Sequence, residues 1–306
     1  MPIAPFLKLV RYPNLLMIVL TQVLVKYFLF EPFKLDVTLD GLGFSLLVIS
    51  MVCLAAAGNI INDLHDTETD TVNKPHKLII GNKISEKAAY NWFIALNIIG
   101  VGIGFYLSNL VGKPSFTALF IIPSAFLYFY ATQIKGTVLV GNLVVSIMVA
   151  MIIVMVGIFD LVPAITPANL STQKVIFLIL VDYAIFAFLV NFIREMVKDQ
   201  EDIKGDYKAG YQTLPVILGR KRTNMITFFI TLLPLAGVLY YIYNYLYDNK
   251  IAILYALLLV MGPLLYFLVK IPGAETKKQY HQLSTLLKMV LAAGLLSIGL
   301  YRFILI

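Results

Sequence analysis

The chain has 306 residues, 60% of them hydrophobic and 13% charged, with a formal net charge of +7. Ordinary globular chains are about 45–50% apolar and carry roughly twice that share of charge, so this composition excludes a soluble enzyme or binding module. The single cysteine, Cys53, lies in an apolar run as a packing residue and excludes an intramolecular disulfide.

The first residues, "MPIAPFLKLVRYPN", lack the charged, apolar and small-residue regions of a signal peptide, so Met1 onward is expected to be mature sequence. Apolar runs long enough to cross a hydrocarbon core of roughly 30 Å follow. Nine spans are expected, at 13–31, 42–62, 88–110, 115–134, 138–160, 174–195, 223–247, 250–269 and 283–305. Runs such as "FSLLVISMVCLAAAG" and "VLVGNLVVSIMVAMIIVMVGIF" are continuously apolar rather than alternating, which marks helices and not barrel strands. The expectation is an all-α polytopic membrane protein, a bundle of nine transmembrane helices forming one domain over 1–306. Two charged cytoplasmic loops, after spans two and six, would cap its active site.

The basic residues set the orientation. With the N-terminus inside, eighteen of the 24 Lys and Arg residues fall on the inner segments, among them Lys8, Arg11, Lys135, Lys204, Arg220 and Lys277. Lys34, Lys113, Lys174, Lys250 and Arg302 fall outside, and Lys26 lies within the first span. This positive-inside bias places the N-terminus in the cytoplasm and the C-terminus outside, in a cell (inner) membrane. It also accounts for the positive charge with no nucleic-acid partner.

Two acidic stripes carry the chemistry. In "NIINDLHDTETDTVNKPHK", Asp63, Asp66 and Asp70 are spaced i, i+3, i+7, and Asn62, Asp66 and Asp70 form a neighbouring i, i+4, i+8 row. In "NFIREMVKDQEDIKGDYKAGYQTLP", Asp199, Asp202 and Asp206 repeat the i, i+3, i+7 spacing. On a helix each triplet lines one face. One acidic cluster beside a membrane is ordinarily a solvated face; two of identical spacing, each at the end of a span, point to a cation. All-oxygen donors select a hard ion, Mg²⁺ or Ca²⁺, and Mg²⁺ commonly binds through one or two carboxylates plus substrate phosphates. Lys74, Lys77, Arg194, Lys198 and Lys204 stand close in sequence as phosphate partners. His65, His76 and His281 show no metal-ligand spacing.

"NDLHDTETD" resembles the NDxxDxxxD motif of the UbiA superfamily of intramembrane prenyltransferases, and "DQEDIKGD" resembles its second acidic motif, with Asp202 and Asp206 as DxxxD. "RYPN" (Arg11 to Asn14), "KGTVLVGN" (Lys135 to Asn142) and "GYQTLPVILG" are similar to further family segments. The resemblance covers nearly the whole chain. "REMVKDQEDIKGD" and "NDLHDTETDTVNKPHK" look most like the ether-lipid branch, the digeranylgeranylglyceryl phosphate synthases. Two features depart: His65 stands where an aromatic residue is common, and "NKPHKLII" replaces the usual NKPxRPI.

The resemblance implies a prenyl diphosphate, geranylgeranyl diphosphate for the ether-lipid branch, with its head among the acidic stripes and its tail between helices. One or two Mg²⁺ ions would bridge Asn62, Asp66 and Asp70 to Asp202 and Asp206, with Asp63 and Asp199 as direct or water-mediated ligands. The allylic cation formed on ionisation needs electron-rich walls; Tyr128 and Tyr130 can supply them or can simply pack. Lys135 and Arg11 can reach diphosphate or serve as topological anchors. Lys74 and Lys77 follow the first motif as phosphate partners. Asn14 and Asn142 can position substrate or hydrogen-bond between helices. Arg194 can pair with Glu195, or Glu195 can extend the second acidic stripe. The acceptor is a glycerol-phosphate monoether in the ether-lipid branch, with an aromatic acid such as 4-hydroxybenzoate or dihydroxynaphthoate as the alternative. An ion-coupled transporter is the alternative from another class; the acids nearest to mid-span are Asp160, expected to cap the outer end of span five, and Asp182, which has no expected role.

Overall fold

In lipid, backbone polar groups can be satisfied only within helices or closed barrels. The computed structural model describes residues 3–67, 71 and 78–304. A short helix α1, Ile3–Leu9, precedes nine helices that are, among the described residues, long and apolar enough to cross a membrane. These are α2 (Tyr12–Phe30), α3 (Gly41–His65), α4 (Glu86–Leu110), α5 (Pro114–Ile134) and α6 (Val140–Ala164). Then follow α7 (Leu170–Lys208), α8 (Leu214–Leu246), α9 (Lys250–Gly273) and α10 (Lys277–Phe303). Side-chain caps fix several starts: Asp40 accepts from the Gly43 amide before α3 at 2.7 Å, and Thr276 with Gln279 forms a capping box before α10.

One expectation changes. The charged segment after residue 195 is not a loop: α7 continues for 39 residues, to Lys208, about 58 Å at 1.5 Å per residue and well beyond a bilayer core. The segment contains no proline and carries helix-compatible pairs such as Glu195–Lys198 at i, i+3. Pro215 then stands in the first turn of α8, where its missing amide hydrogen costs nothing. Gly219, at φ 76°, interrupts the helical backbone early in α8; a left-handed residue there favours glycine.

Residue contacts divide the chain into two compact units. The first comprises Met1–Val23, Leu35–Lys135 and Val154–Phe177; the second comprises Leu24–Lys34, Gly136–Ile153 and Leu178–Ile306. In the first unit α3 and α4 approach closely because small residues meet. Ser50 Oγ donates to the Gly100 carbonyl at 2.7 Å, and Gly100 lies against Leu54. Gly104 sits under Phe120, whose ring meets Phe159 edge-on at 5.4 Å. Asp160 is fully buried at the end of its helix, and its Oδ1 accepts from the Leu39 amide at 2.9 Å, so it ties down the chain ahead of α3. A Cβ at position 104 would lie 2.3 Å from Phe120 Cγ. Gly104→Val is therefore expected to destabilise the protein by about 1–3 kcal/mol through overpacking. Thermal unfolding in detergent checks this, and an unchanged melting temperature would mean that Phe120 moves aside freely.

In the second unit, Val190, Ile193 and Val197 of α7 form an i, i+3, i+7 stripe. It packs with Leu264, Phe267 and Ile271 of α9 and Tyr280, Leu283, Leu287 and Val290 of α10. The buried Tyr280 hydroxyl donates to the Ala274 carbonyl at 2.6 Å, and Arg220 lies 5.4 Å from the Tyr280 ring centroid. Hydroxyl pairs Tyr183–Ser297 and Tyr241–Tyr301, each at 2.8 Å, satisfy polar groups within the spans. Asp182 lies within electrostatic reach of Tyr241 and Tyr245, which gives this acid polar neighbours in its own unit.

Candidate active site

The first acidic motif sits where α3 ends. Asp66 is the helix C-cap residue, only 5% exposed, and a buried carboxylate in such a place requires a partner. Lys135, immediately after α5, supplies it: its Nζ forms an ion pair with Asp66 Oδ2 and donates to Asn62 Oδ1 at 3.0 Å. Asn62 Nδ2 donates in turn to Asp66 Oδ2 at 3.0 Å, so the i, i+4 row read from sequence closes into a hydrogen-bonded triangle. Asp63 is engaged separately. Arg11 Nη2 donates to its Oδ1 at 2.6 Å, a charge-assisted bond across 52 residues. Arg11 occupies the turn between α1 and α2 at φ 53°, a left-handed conformation that costs a side-chain-bearing residue about 1–3 kcal/mol. The bond to Asp63 and that from Asn59 Nδ2 to the Val10 carbonyl, at 3.0 Å, hold the strained turn against α3.

The second motif lies on the C-terminal extension of α7, beyond residue 195. Asn142, at the start of α6, donates from Nδ2 to Asp199 Oδ2 at 2.8 Å. Glu195 accepts from Arg194 Nη1 at 3.0 Å and from Lys198 Nζ at 2.9 Å. Asp202 lies 4.0 Å from Lys277 Nζ, and Asp206 Oδ2 accepts from the Thr213 hydroxyl at 3.3 Å. The Asp206 carbonyl also accepts from the Tyr211 amide at 2.9 Å, fixing the turn that follows α7.

The first unit thus gathers Arg11, Asn62, Asp63, Asp66 and Lys135; the second gathers Asn142, Arg194, Lys198, Asp199, Asp202 and Asp206. Asn14 is exposed at the start of α2 with its amide bonded to the Arg11 carbonyl at 2.8 Å, and half-buried Tyr130 lends its carbonyl to the Lys135 amide at 2.9 Å. Tyr128 stacks on Phe93 at 6.1 Å, a packing role. Asp70, Lys74 and Lys77 lie outside the described residues.

Among the described residues, no three acidic, histidine or cysteine side chains are gathered closely enough to hold a metal ion by themselves. The donors are carboxylate oxygens in both motifs, which fits a hard divalent cation completing its shell with water and phosphate oxygens.

Residues 27–300 match the UbiA prenyltransferase family. The chain belongs to that family. This prenyltransferase is 31% identical over 261 residues to the digeranylgeranylglyceryl phosphate synthase of Korarchaeum cryptofilum (strain OPF8), covering 81% of each chain. It resembles a solved structure described as giving insights into digeranylgeranylglyceryl phosphate synthase in membranes, with a TM-score of 0.64 at 21% identity over 97% of this chain and 98% of that one. It also resembles a UbiA homologue from Archaeoglobus fulgidus bound to GPP and Mg²⁺, with a TM-score of 0.57 at 16% identity over 96% and 99% of the two chains. At those identities the structural likeness speaks for the fold. Family and helices together make the prenyltransferase an integral membrane protein, and the transporter alternative is set aside.

Sequence reading passed over three partners of the prenyltransferase's second motif: Lys277, Thr213 and His281, whose Nδ1 lies 3.1 Å from Glu201 Oε1. Lys277 and His281 were visible only as charges near the start of a span. Their role as neighbours of α7 depends on the packing of α10.

Proposed function

We propose that this prenyltransferase moves a geranylgeranyl group from geranylgeranyl diphosphate to the free hydroxyl of geranylgeranylglyceryl phosphate, with Mg²⁺ as cofactor. The allylic C–O bond to diphosphate breaks, a C–O ether bond to the acceptor forms, and diphosphate and the hydroxyl proton leave. The observation that carries this reading is the likeness, over four-fifths of each chain, to a relative named as a synthase of that product.

Asp66, Asp70, Asp202 and Asp206 are the proposed Mg²⁺ ligands with Asn62, and Asp63 and Asp199 support them directly or through water. A homologue of the same fold is described as binding GPP and Mg²⁺. When bound, Mg²⁺ neutralises charge on the departing diphosphate. Lys135, anchored by Asn62 and Asp66, presents an ammonium to phosphate oxygens, and Arg11, bonded to Asp63, presents its guanidinium to them. Asn142 orients Asp199. Arg194 and Lys198 serve the acceptor, and Lys74, Lys77, Asn14 and Tyr130 complete the proposed substrate contacts. The basic residues support an orientation with the N-terminus and both acidic motifs at the cytoplasmic face of the cell membrane and the C-terminus outside.

Purified protein given labelled geranylgeranyl diphosphate and a panel of geranylgeranylglyceryl phosphate, 4-hydroxybenzoate and dihydroxynaphthoate is expected to form product with the first. Product from an aromatic acid alone would overturn the acceptor assignment, and no product or diphosphate release with any acceptor would overturn prenyl transfer by this protein.

A further inference from the structure

By sequence Arg220 is one more of the basic residues that set topology, and a topological cation turns its charge toward water or lipid headgroups. The Arg220 guanidinium is turned onto the protein instead. Nη1 donates to the Glu275 carbonyl at 2.7 Å and Nη2 donates to the Gln200 carbonyl at 3.3 Å. Its centre lies 5.4 Å from the centroid of the Tyr280 ring, within cation–π range. Gly219 breaks the helical backbone one residue earlier, so Arg220 opens a fresh helical run of α8. All of these residues belong to the second unit.

The turn between α9 and α10 is the fixed side of this contact. The Ala274 carbonyl accepts from the buried Tyr280 hydroxyl at 2.6 Å and from Asn224 Nδ2 at 2.8 Å. Asn224 is 2% exposed and stands four residues after Arg220, on the same face of α8. Glu275 follows Ala274, and the Thr276–Gln279 capping box sets the next turn. Gln200 is the other side, on α7 between Asp199 and Asp202. A helix carbonyl keeps a second lone pair for such a donor. The neighbouring contacts, Glu201 with His281 and Asp202 with Lys277, come from basic side chains 64% and 47% exposed, where solvent screens them. The Arg220 bond is partly buried and grips the backbone itself.

We propose that Arg220 is a positioning residue for the second acidic motif. It pins the α7 backbone at Gln200 to the turn between α9 and α10. Residues 199–202 span about one helical turn, so a backbone fixed at 200 sets where the Asp199 and Asp202 carboxylates stand. The guanidinium suits the task because its donors diverge in a rigid fork that reaches two carbonyls at once. Lysine would keep the charge and lose the fork. The assignment rests on the reading above that these carboxylates hold Mg²⁺.

The test compares wild type, Arg220→Gln and Arg220→Lys as full chains in detergent. Two quantities are measured: the Mg²⁺ concentration giving half-maximal binding of labelled geranylgeranyl diphosphate, and amide hydrogen exchange over residues 199–208. Both variants are expected to raise that concentration about tenfold or more, the scale of losing a group that orients a metal ligand. Saturating Mg²⁺ should restore binding, and exchange over 199–208 should quicken while the apolar part of α7 stays protected. If Arg220→Gln does not purify folded, Arg220→Lys carries the comparison, since it keeps a cation beside Tyr280. An unchanged Mg²⁺ requirement overturns the proposal, and so does wild-type behaviour of Arg220→Lys, because charge alone would then suffice. Wild-type binding indifferent to Mg²⁺ would sink the metal assignment separately. Exchange then judges Arg220 alone: faster exchange over 199–208 sustains its hold on α7, and unchanged exchange overturns it.

Discussion

Asp66→Asn and Asp202→Ala are each expected to lower prenyl transfer by at least about 10²–10³-fold, the scale of losing one preorganised electrostatic group at a reacting centre. Asp66 is the stricter test because it is buried and bonded to both Lys135 and Asn62. Asparagine preserves its volume and retains an oxygen for Lys135, so the triangle persists while the anionic ligand is lost. Both substitutions remove the charge opposite Lys135, but alanine at 66 would also remove the oxygen that accepts from Lys135 and Asn62 and leave a cavity, confounding rate with stability further. At Asp202, whose cationic neighbour Lys277 is half-exposed at 4.0 Å, alanine removes the carboxylate and loses only a weak ion pair to that lysine. Steady-state rates with labelled geranylgeranyl diphosphate, beside melting temperatures in the same detergent, separate the two effects. Rates within tenfold of wild type in either folded variant would remove that carboxylate from the proposed ligand set.

Chelation is the second large expected effect. Wild-type protein in excess EDTA should lose prenyl transfer to background, and added Mg²⁺ should restore it. A carboxylate stripe repels a diphosphate, and neither Lys135 nor Arg11 is a surplus cation: each is already paired, with Asp66 and Asp63 respectively. The first unit's described ion pairs therefore balance, leaving the charge of an incoming diphosphate to be met by divalent cations. Binding of geranylgeranyl diphosphate should weaken in parallel with turnover. Full activity in EDTA would show that the basic side chains suffice and that the acidic stripes have another purpose.

By itself the sequence determined the membrane helices, because a stretch of about 20 apolar residues in lipid has no alternative but to bond its own backbone. It also determined the two acidic stripes, because spacing along one helix is a local property: the Asn62–Asp66 bond at i, i+4 follows from helical geometry alone. The helical continuation of α7 to Lys208 was open to local reading too, since nothing in residues 196–208 breaks a helix. Tertiary structure decided which partner each acid meets. Arg11 reaches Asp63, Lys135 reaches Asp66, Asn142 reaches Asp199 and Lys277 approaches Asp202, each pair separated by dozens of residues. Those meetings depend on how helices pack. Contacts such as Gly104 beneath Phe120, or Phe186 against Gly294, set the distance and rotation of neighbouring helices, and no periodicity within one segment records them.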